Sequence, residues 1–340
     1  MKNQVMRLLA RPSLLRTSYG AQGVMILMFH GFRDSAQTGI LNSEGKHLLG
    51  ETFDSLLSAL GQVFSFISLT ELIDRLEKGN PLPKRSAILT FDDGYESNYR
   101  VAFPVLKRHE APATVFLATR FVRDGEHLWT DRLEYALERT QSDYLDFAQE
   151  RFTISSSENR IASLHAIKEI FKSLAQRDQD LRIAEIESAL NFKLGDAGQQ
   201  APLIYRPLSS SQIHEMSQSG LVDFGAHSHT HRIIGRCDEE TAREEIRTSR
   251  DIVSSLTGKP CDLFCYPNGQ AGDFDLTSRR LLGEEGFRCA LTTIPEKNVD
   301  QSDPFTIGRL GVSDRESPEW TLLELCGLLP FLRDLIKGRK

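Results

Sequence analysis

Residues 87–95 read Ala87-Ile88-Leu89-Thr90-Phe91-Asp92-Asp93-Gly94-Tyr95. A short apolar run, bounded by breakers, ends in two adjacent carboxylates, a glycine and an aromatic. A run of that length and composition is a buried strand. Two acids at its end are hard to explain as packing, because buried carboxylates are costly unless paired, hydrogen-bonded or bound to metal. Strand ends are also where α/β folds keep their catalytic groups. Taken alone, Asp92-Asp93-Gly94 is equally a polar turn closing a strand.

Outward from this stretch the chain alternates short apolar runs with helical patterns. Strands are expected at 24–29, 64–67, 87–91 and 113–117, with helices at 52–60, at 71–77 behind Ser68, and at 98–107, where Pro104 sits near the start or makes a kink. The rhythm resumes with helix 209–218 and its serine cap, strand 222–226, helix 239–256, strand 263–266, helix 276–285, and strands 289–292 and 305–307. Such alternation implies an α/β fold with a mostly parallel sheet or barrel. From about 122 to 205 the chain is polar, charged and mainly helical, with one long helical pattern over 161–190 interrupted near 177–180. No second set of strands is evident there, so the segment is expected to be an insertion within a single domain spanning 1–340. Residues 317–340 include an amphipathic helix at 320–336, whose Leu and Phe stripe is expected to pack on the core.

The composition sets outer bounds. Of 340 residues, 40% are hydrophobic and 26% charged, ordinary for a globular protein with a sizeable core. A net charge of -6, with no basic stripe interleaved with aromatics, excludes a general nucleic-acid binder. The five cysteines (Cys237, Cys261, Cys265, Cys289 and Cys326) are odd in number and lack zinc-type spacing, which favours a reducing compartment over a disulfide framework. Residues 1–20 form a basic segment in which Lys2, Arg7, Arg11 and Arg16 interrupt the leucines, so no secretory apolar core is present. The expected location is therefore cytoplasmic. The basic segment is expected to pack on the domain or fray, with a helix lying on the inner membrane face as the alternative. No repeat is present, and no pattern encodes an oligomeric state.

A second constellation follows strand 222–226: Gly225-Ala226-His227-Ser228-His229-Thr230-His231. His227 and His231 are four apart, so on one helical turn they face the same way, as two metal ligands require. A lone buried histidine is usually structural. Three in five residues, from a chain with nine, point to a divalent metal. His229 is out of phase with the pair and is assigned a supporting or surface place. Two imidazoles and one carboxylate on the ion would leave positions open for water and substrate. Asp92 or Asp93 would supply the carboxylate, leaving the other free to act as a base.

Thr90-Phe91-Asp92-Asp93-Gly94-Tyr95 followed by His227-Ser228-x-x-His231 resembles the first two motifs of the polysaccharide deacetylase family, the NodB-homology or carbohydrate esterase family 4 group. Phe264-Cys265-Tyr266-Pro267-Asn268-Gly269 resembles its third motif, in its Phe-x-Tyr-Pro-x-Gly version. The resemblance covers roughly 24–120 and 205–312. It implies a deformed (β/α) barrel and a metal-dependent hydrolase that removes N-acetyl, sometimes O-acetyl, groups from sugars. By the family pattern Asp92 would be the general base, and Asp93, His227 and His231 the metal ligands. The backbone N–H of Tyr95 would stabilise the oxyanion, and Tyr266 and Pro267 would wall the groove. Ser228 would either hydrogen-bond within the metal site or cap the turn. Zinc is the default ion, and cobalt, nickel or iron fit the same ligand set.

Two departures from the pattern redirect attention. The family's late Leu-x-His motif, whose histidine protonates the leaving amine, is missing, because no histidine follows His231. His30, in Met28-Phe29-His30-Gly31, resembles the early acid histidine of the permuted poly-N-acetylglucosamine deacetylase branch and is the expected acid. Cys265 stands where much of the family has a base-orienting arginine. Arg309 is the candidate substitute, with a surface position as the alternative. Trp129, in His127-Leu128-Trp129-Thr130-Asp131-Arg132, either stacks on a sugar or is buried against the insertion. The expected substrate is an acetylated glycan or a lipid-linked sugar. The competing functions are hydrolysis of a small or lipid-linked amide and non-catalytic carbohydrate binding.

Overall fold

A computed structural model describes Leu15 and residues 23–174, 178–195, 201–296, 299, 303–314 and 317–328. The expected basic segment 1–20 lies outside the described residues apart from Leu15. Strands β1 (Val24–Phe29), β2 (Gly31–Arg33), β3 (His47–Leu49), β4 (Ser65–Phe66), β5 (Ser86–Phe91) and β6 (Ala113–Leu117) precede the inserted segment. Strands β7 (Tyr144–Phe147) and β8 (Glu150–Thr153) lie inside it, and β9 (Val222–Ala226), β10 (Leu263–Cys265), β11 (Cys289–Leu291) and β12 (Leu310–Gly311) follow.

The main sheet runs β11-β10-β9-β6-β5-β1-β12, with β4 also on β5, and its pairings are parallel. Parallel neighbours need crossovers, which here bring helices over the sheet; the strands are therefore covered on both faces and read as unbroken apolar runs. Alternation along each strand sorts the side chains. Val24, Ile26 and Ile88 join Leu263, Cys265, Cys289 and Leu291 in one cluster, while Met25, Leu27, Leu89 and Phe91 join the residues of the covering helices. The helix Gly50–Gly61, for example, buries Phe53, Leu56, Leu57 and Leu60.

The expected strand at 305–307 is reduced to a single bridge, Leu291↔Ile307, and the pairing with β1 comes later, at Leu310 and Gly311. Gly308 lies between them, where a Cβ would meet Ile294 O and the Glu296 side chain at 2.5 Å. The chain therefore passes too close to its neighbour for a regular strand. Residues 307–311 touch β11 at one end and β1 at the other, and so close the sheet into a deformed (β/α) barrel.

Other expected elements shift for local reasons. Ser68 caps the helix Leu69–Glu77 by accepting from Glu71 N, and Ser209 and Gln212 form a capping box for Ser210–Gln218. Residues Asn98–Ala102 wind as a π-helix before Phe103–His109, which carries Pro104, a residue with no N–H to donate, in its first turn. The inserted segment is not purely helical. The antiparallel hairpin β7–β8 joins helix Trp129–Arg139 to Ser157–Ser173, Gln179–Leu190 follows, and Leu133, Leu145, Ile167, Phe171 and Ile183 form a cluster of their own. The last described helix, Pro318–Leu325, starts behind Ser317 and stops before Gly327, whose φ is 76°. The rest of the expected helix 320–336 lies outside the described residues.

Candidate metal centre and catalytic site

Strand register assembles the site. Phe29 pairs with Phe91, Leu117 with Ala226 and Phe264 with Ala226, so the chain leaves five neighbouring strands at one edge. His30, Asp92, His227 and Tyr266 stand there. Asp92 N donates to Phe29 O at 3.0 Å and His227 N to Leu117 O at 2.9 Å, extending the ladder through the functional residues. Asp93 and Gly94 then take φ of 76° and 91°. At Gly94 a Cβ would also lie 2.7 Å from Leu117, so only glycine fits the turn. The reversal sends Asp92 and Asp93 to different partners.

Asp93 is 1% exposed. Its Oδ1 lies 3.3 Å from His231 Nε2 and 3.6 Å from His227 Nε2, without a well-formed hydrogen bond. Three donors at about 2.0–2.1 Å around a tetrahedral ion stand about 3.3–3.5 Å apart, so this spacing fits a metal. His227 Nδ1 bonds Cys265 O at 2.8 Å, which assigns the proton to Nδ1 and leaves Nε2 a lone pair aimed at Asp93. Burial lowers the His227 pKa to about 4, against the pull of Asp92, so the ring is neutral as a ligand must be. Asp93, His227 and His231 thus fit a divalent cation. The histidines do not reach it from a helical turn. Residues 227–231 form an irregular loop in which Ser228 and His231 have φ of 57° and 59°, and those left-handed residues bring the rings to 5.0 Å.

Asp92, in phase with Ile88 and Thr90, points into the barrel and meets Arg309, which the closing segment carries inward. The pair is bidentate, with Nη1–Oδ1 at 2.8 Å and Nη2–Oδ2 at 2.7 Å. Arg309 is 0% exposed and also donates to Thr292 O at 2.9 Å, Thr90 Oγ1 at 3.0 Å and Cys265 Sγ at 2.9 Å. Burial by itself would raise the Asp92 pKa, yet the guanidinium holds it below the ordinary carboxylate value. Of the two places open to Arg309, the structure shows the buried one.

His30 lines the same cleft, of about 240 Å³, together with Asp92, Asp93, Tyr266, Pro267 and Trp129. Burial lowers its pKa, against Asp93 and Asp92, so the imidazole is neutral at pH 7. Tyr95 pairs antiparallel with Pro207, and its N–H makes no backbone hydrogen bond among the described residues. Its side chain is buried and its Oη donates to Asp131 Oδ2 at 2.7 Å. Tyr266 stacks on Phe274 at 4.7 Å, with its buried Oη unpartnered among the described residues. Trp129 combines the two places open to it, because one face stacks on Phe171 at 4.9 Å while the ring still lines the cleft. Neither expected role of Ser228 is seen, since its buried Oγ finds no partner among the described residues.

Two supports carry no signal in the sequence. Glu245, 4% exposed on the helix Glu239–Thr257, accepts from His229 N at 2.9 Å, Thr230 N at 2.8 Å and Thr230 Oγ1 at 2.6 Å. It thereby pins the loop between the two histidines, and its spacing from that loop matches no local motif. Lys46 reaches Asp93 Oδ2 at 2.9 Å from the loop before β3.

The family model for polysaccharide deacetylases matches residues 79–290. The chain belongs to the polysaccharide deacetylase family. Among curated relatives, it is 47% identical over 57 residues to a poly-beta-1,6-N-acetyl-D-glucosamine N-deacetylase of Staphylococcus epidermidis, covering 17% of this chain and 19% of that protein. It is 31% identical over 91 residues to the enzyme of the same name from Escherichia coli K12, covering 27% and 13%. The chain thus spans less than a fifth of the length of these curated relatives. Similar solved structures include the Streptococcus pyogenes deacetylase PplD in complex with acetate (TM-score 0.59, 17% identity, 89% of this chain and 98% of that one). IcaB from Ammonifex degensii gives a TM-score of 0.58 at 19% identity, covering 90% and 97%. At these identities the likeness is one of fold.

Proposed function

We propose that this protein is a metal-dependent N-deacetylase of a glycan containing acetylated amino sugars. The observation that carries this is the meeting, in one cleft, of a three-residue metal set with a separate carboxylate held ionised by a buried arginine. The names of the curated relatives support N-acetylglucosamine as the sugar. Water adds to the acetyl carbon, the C–N bond breaks, and acetate and a free amine leave. Asp93, His227 and His231 would hold the cation, with zinc as the default; when bound, it polarises the acetyl carbonyl and lowers the pKa of the attacking water.

Asp92 takes the proton of that water. Its bidentate grip on Arg309 keeps it ionised and aims it from the barrel interior. The Tyr95 N–H, turned away from its bridge partner, donates to the oxygen on which negative charge develops. His30, across the ladder from Asp92, delivers a proton to the leaving nitrogen. Because the imidazole is neutral at rest, the proton it delivers is the one Asp92 took from the water. That proton is handed on before the C–N bond breaks, so that both groups end as they began. Tyr266 and Pro267 wall the sugar side. The substrate is an acetylated glycan or a lipid-linked sugar. The five free cysteines support a reducing compartment, and contact with the inner membrane face through the basic segment is part of the same proposal.

The test is metal analysis of the purified protein together with acetate release from N-acetylglucosamine oligomers and lipid-linked N-acetyl sugars. Release that disappears in Asp92→Ala is expected. A metal-loaded protein whose activity on every acetylated sugar is the same with and without Asp92 would overturn the assignment.

A further inference from the structure

Lys46 belongs to none of the motifs, yet it holds two of the groups the chemistry uses. Its Nζ lies 2.9 Å from Asp93 Oδ2, 2.5 Å from Tyr95 Oη and 3.4 Å from Asp131 Oδ1. An ammonium has three donors and no acceptor. These three oxygens occupy them all, which leaves none for a substrate although the side chain, 21% exposed, lines the cleft. Asp131 is 2% exposed and takes the Tyr95 hydroxyl proton on its other oxygen. Lys46 also lies 4.8 Å from the centre of the Tyr95 ring.

The consequences are geometric. With Oδ2 of Asp93 engaged by Lys46, Oδ1 is the oxygen that faces the two histidine Nε2 atoms. With Tyr95 pinned at its ring and hydroxyl, the main chain two residues beyond Asp93 is fixed too, including the N–H that makes no backbone hydrogen bond among the described residues. Asp131 stands in the first turn of Trp129–Arg139, the helix that opens the inserted three-helix cluster. The insertion therefore reaches the metal set through one carboxylate and one ammonium.

We propose that Lys46, backed by Asp131 from the inserted segment, is a positioning residue that holds Asp93 as a one-oxygen metal ligand and anchors the Tyr95 backbone. The kinetic part rests on the deacetylase reading; the metal-site part stands apart from it.

Lys46→Met keeps much of the stem and removes the charge. Asp93 and Asp131 then face each other buried and without their cation, so the metal-free protein melts several degrees lower than wild type. Bound metal replaces part of the lost charge, and the gap in Tm between metal-free and loaded protein widens. In the Co2+-loaded protein both Asp93 oxygens would be free to reach the ion, and the visible spectrum departs from that of wild type. In acetate release kcat falls about 10–100-fold, with KM within about twofold. Lys46→Arg, whose planar fork cannot reach all three oxygens, recovers the charge-dependent Tm but only part of kcat. Asp131→Asn keeps a partner for Tyr95 and shifts each readout the same way by less; it carries the test if Lys46→Met does not fold. A folded Lys46→Met with the wild-type Tm gap and Co2+ spectrum overturns the proposal. If wild type itself releases no acetate, the deacetylase reading fails, while the Tm gap and the spectrum still judge Lys46.

Discussion

Arg309→Met is the sharpest perturbation of the base. All five guanidinium donors are used, two of them on Asp92, and both residues are almost fully buried. The substitution leaves Asp92 with Cys265 Sγ at 3.8 Å as its remaining side-chain hydrogen-bond partner among the described residues. Breaking a buried pair from one side costs about 3–5 kcal/mol, a fall in Tm of roughly 4–7 °C for a chain of this size. The protonation state changes sign as well. Burial is the largest influence on Asp92 and raises its pKa; Arg309 is what reverses it. In wild type the folded pKa lies below the unfolded value of about 3.9, so the pair's stabilisation is full at neutral pH and is lost only in strong acid, as pH falls through the folded pKa. In Arg309→Met the folded pKa lies above the unfolded one, so the variant is penalised at neutral pH and gains stability as pH falls toward 5. Its Tm therefore rises on acidification over a range where the contribution of Asp92 to wild type stays flat. The acid limb of kcat/KM moves to higher pH, and activity at pH 7 drops about 10²–10⁴-fold with the base protonated. Arg309→Lys, with at most three donors, recovers only part. Melting and acetate release measured from pH 5 to 9 decide it: a variant with the wild-type acid limb and the wild-type slope of Tm against pH refutes the pairing as the source of the ionised base.

Removing metal with a chelator should abolish acetate release, and Zn2+ should restore it; His227→Ala should lower bound metal measured by elemental analysis, and full occupancy with full activity would disqualify the ligand set. His30→Ala should keep wild-type metal content while kcat falls about 10²–10⁴-fold; unchanged turnover moves the acid elsewhere. Glu245→Gln weakens the clamp on His229 and Thr230 and should loosen metal binding about 10-fold, read by competition with a coloured chelator. Gly225→Ala would set a Cβ 2.5 Å from Phe116 and 2.7 Å from Leu263 O, and should lower Tm by overpacking with little change in metal affinity per folded molecule.

The amino-acid sequence by itself determined what is written in contiguous residues. The apolar runs at 24–29 and 113–117 became β1 and β6 with the same bounds, because a strand buried on both faces needs an unbroken apolar run and little else. The Asp92-Asp93-Gly94 corner and the His227–His231 loop were legible as chemistry because acids and clustered imidazoles at strand ends have few other uses. The tertiary structure decided what depends on residues far apart in the chain. Arg309 meets Asp92 across 217 positions, a contact created by the closing segment of the barrel. Lys46 reaches Asp93 from the loop before β3, and Glu245 ties down the histidine loop from a helix that follows it. Arg309 could be named as a candidate but not told from a surface charge, and nothing marks Lys46 or Glu245; all three acquire partners only once the sheet closes and water is excluded. The loop geometry at 227–231 was also beyond the sequence, since a spacing of four suits a helical turn as well as left-handed residues, and only packing against β6 and Glu245 selects between them. The Asp92-Asp93 pair is thus read from sequence as two acids, and the fold assigns them separate partners by giving one to Arg309 and the other to Lys46 and the histidines.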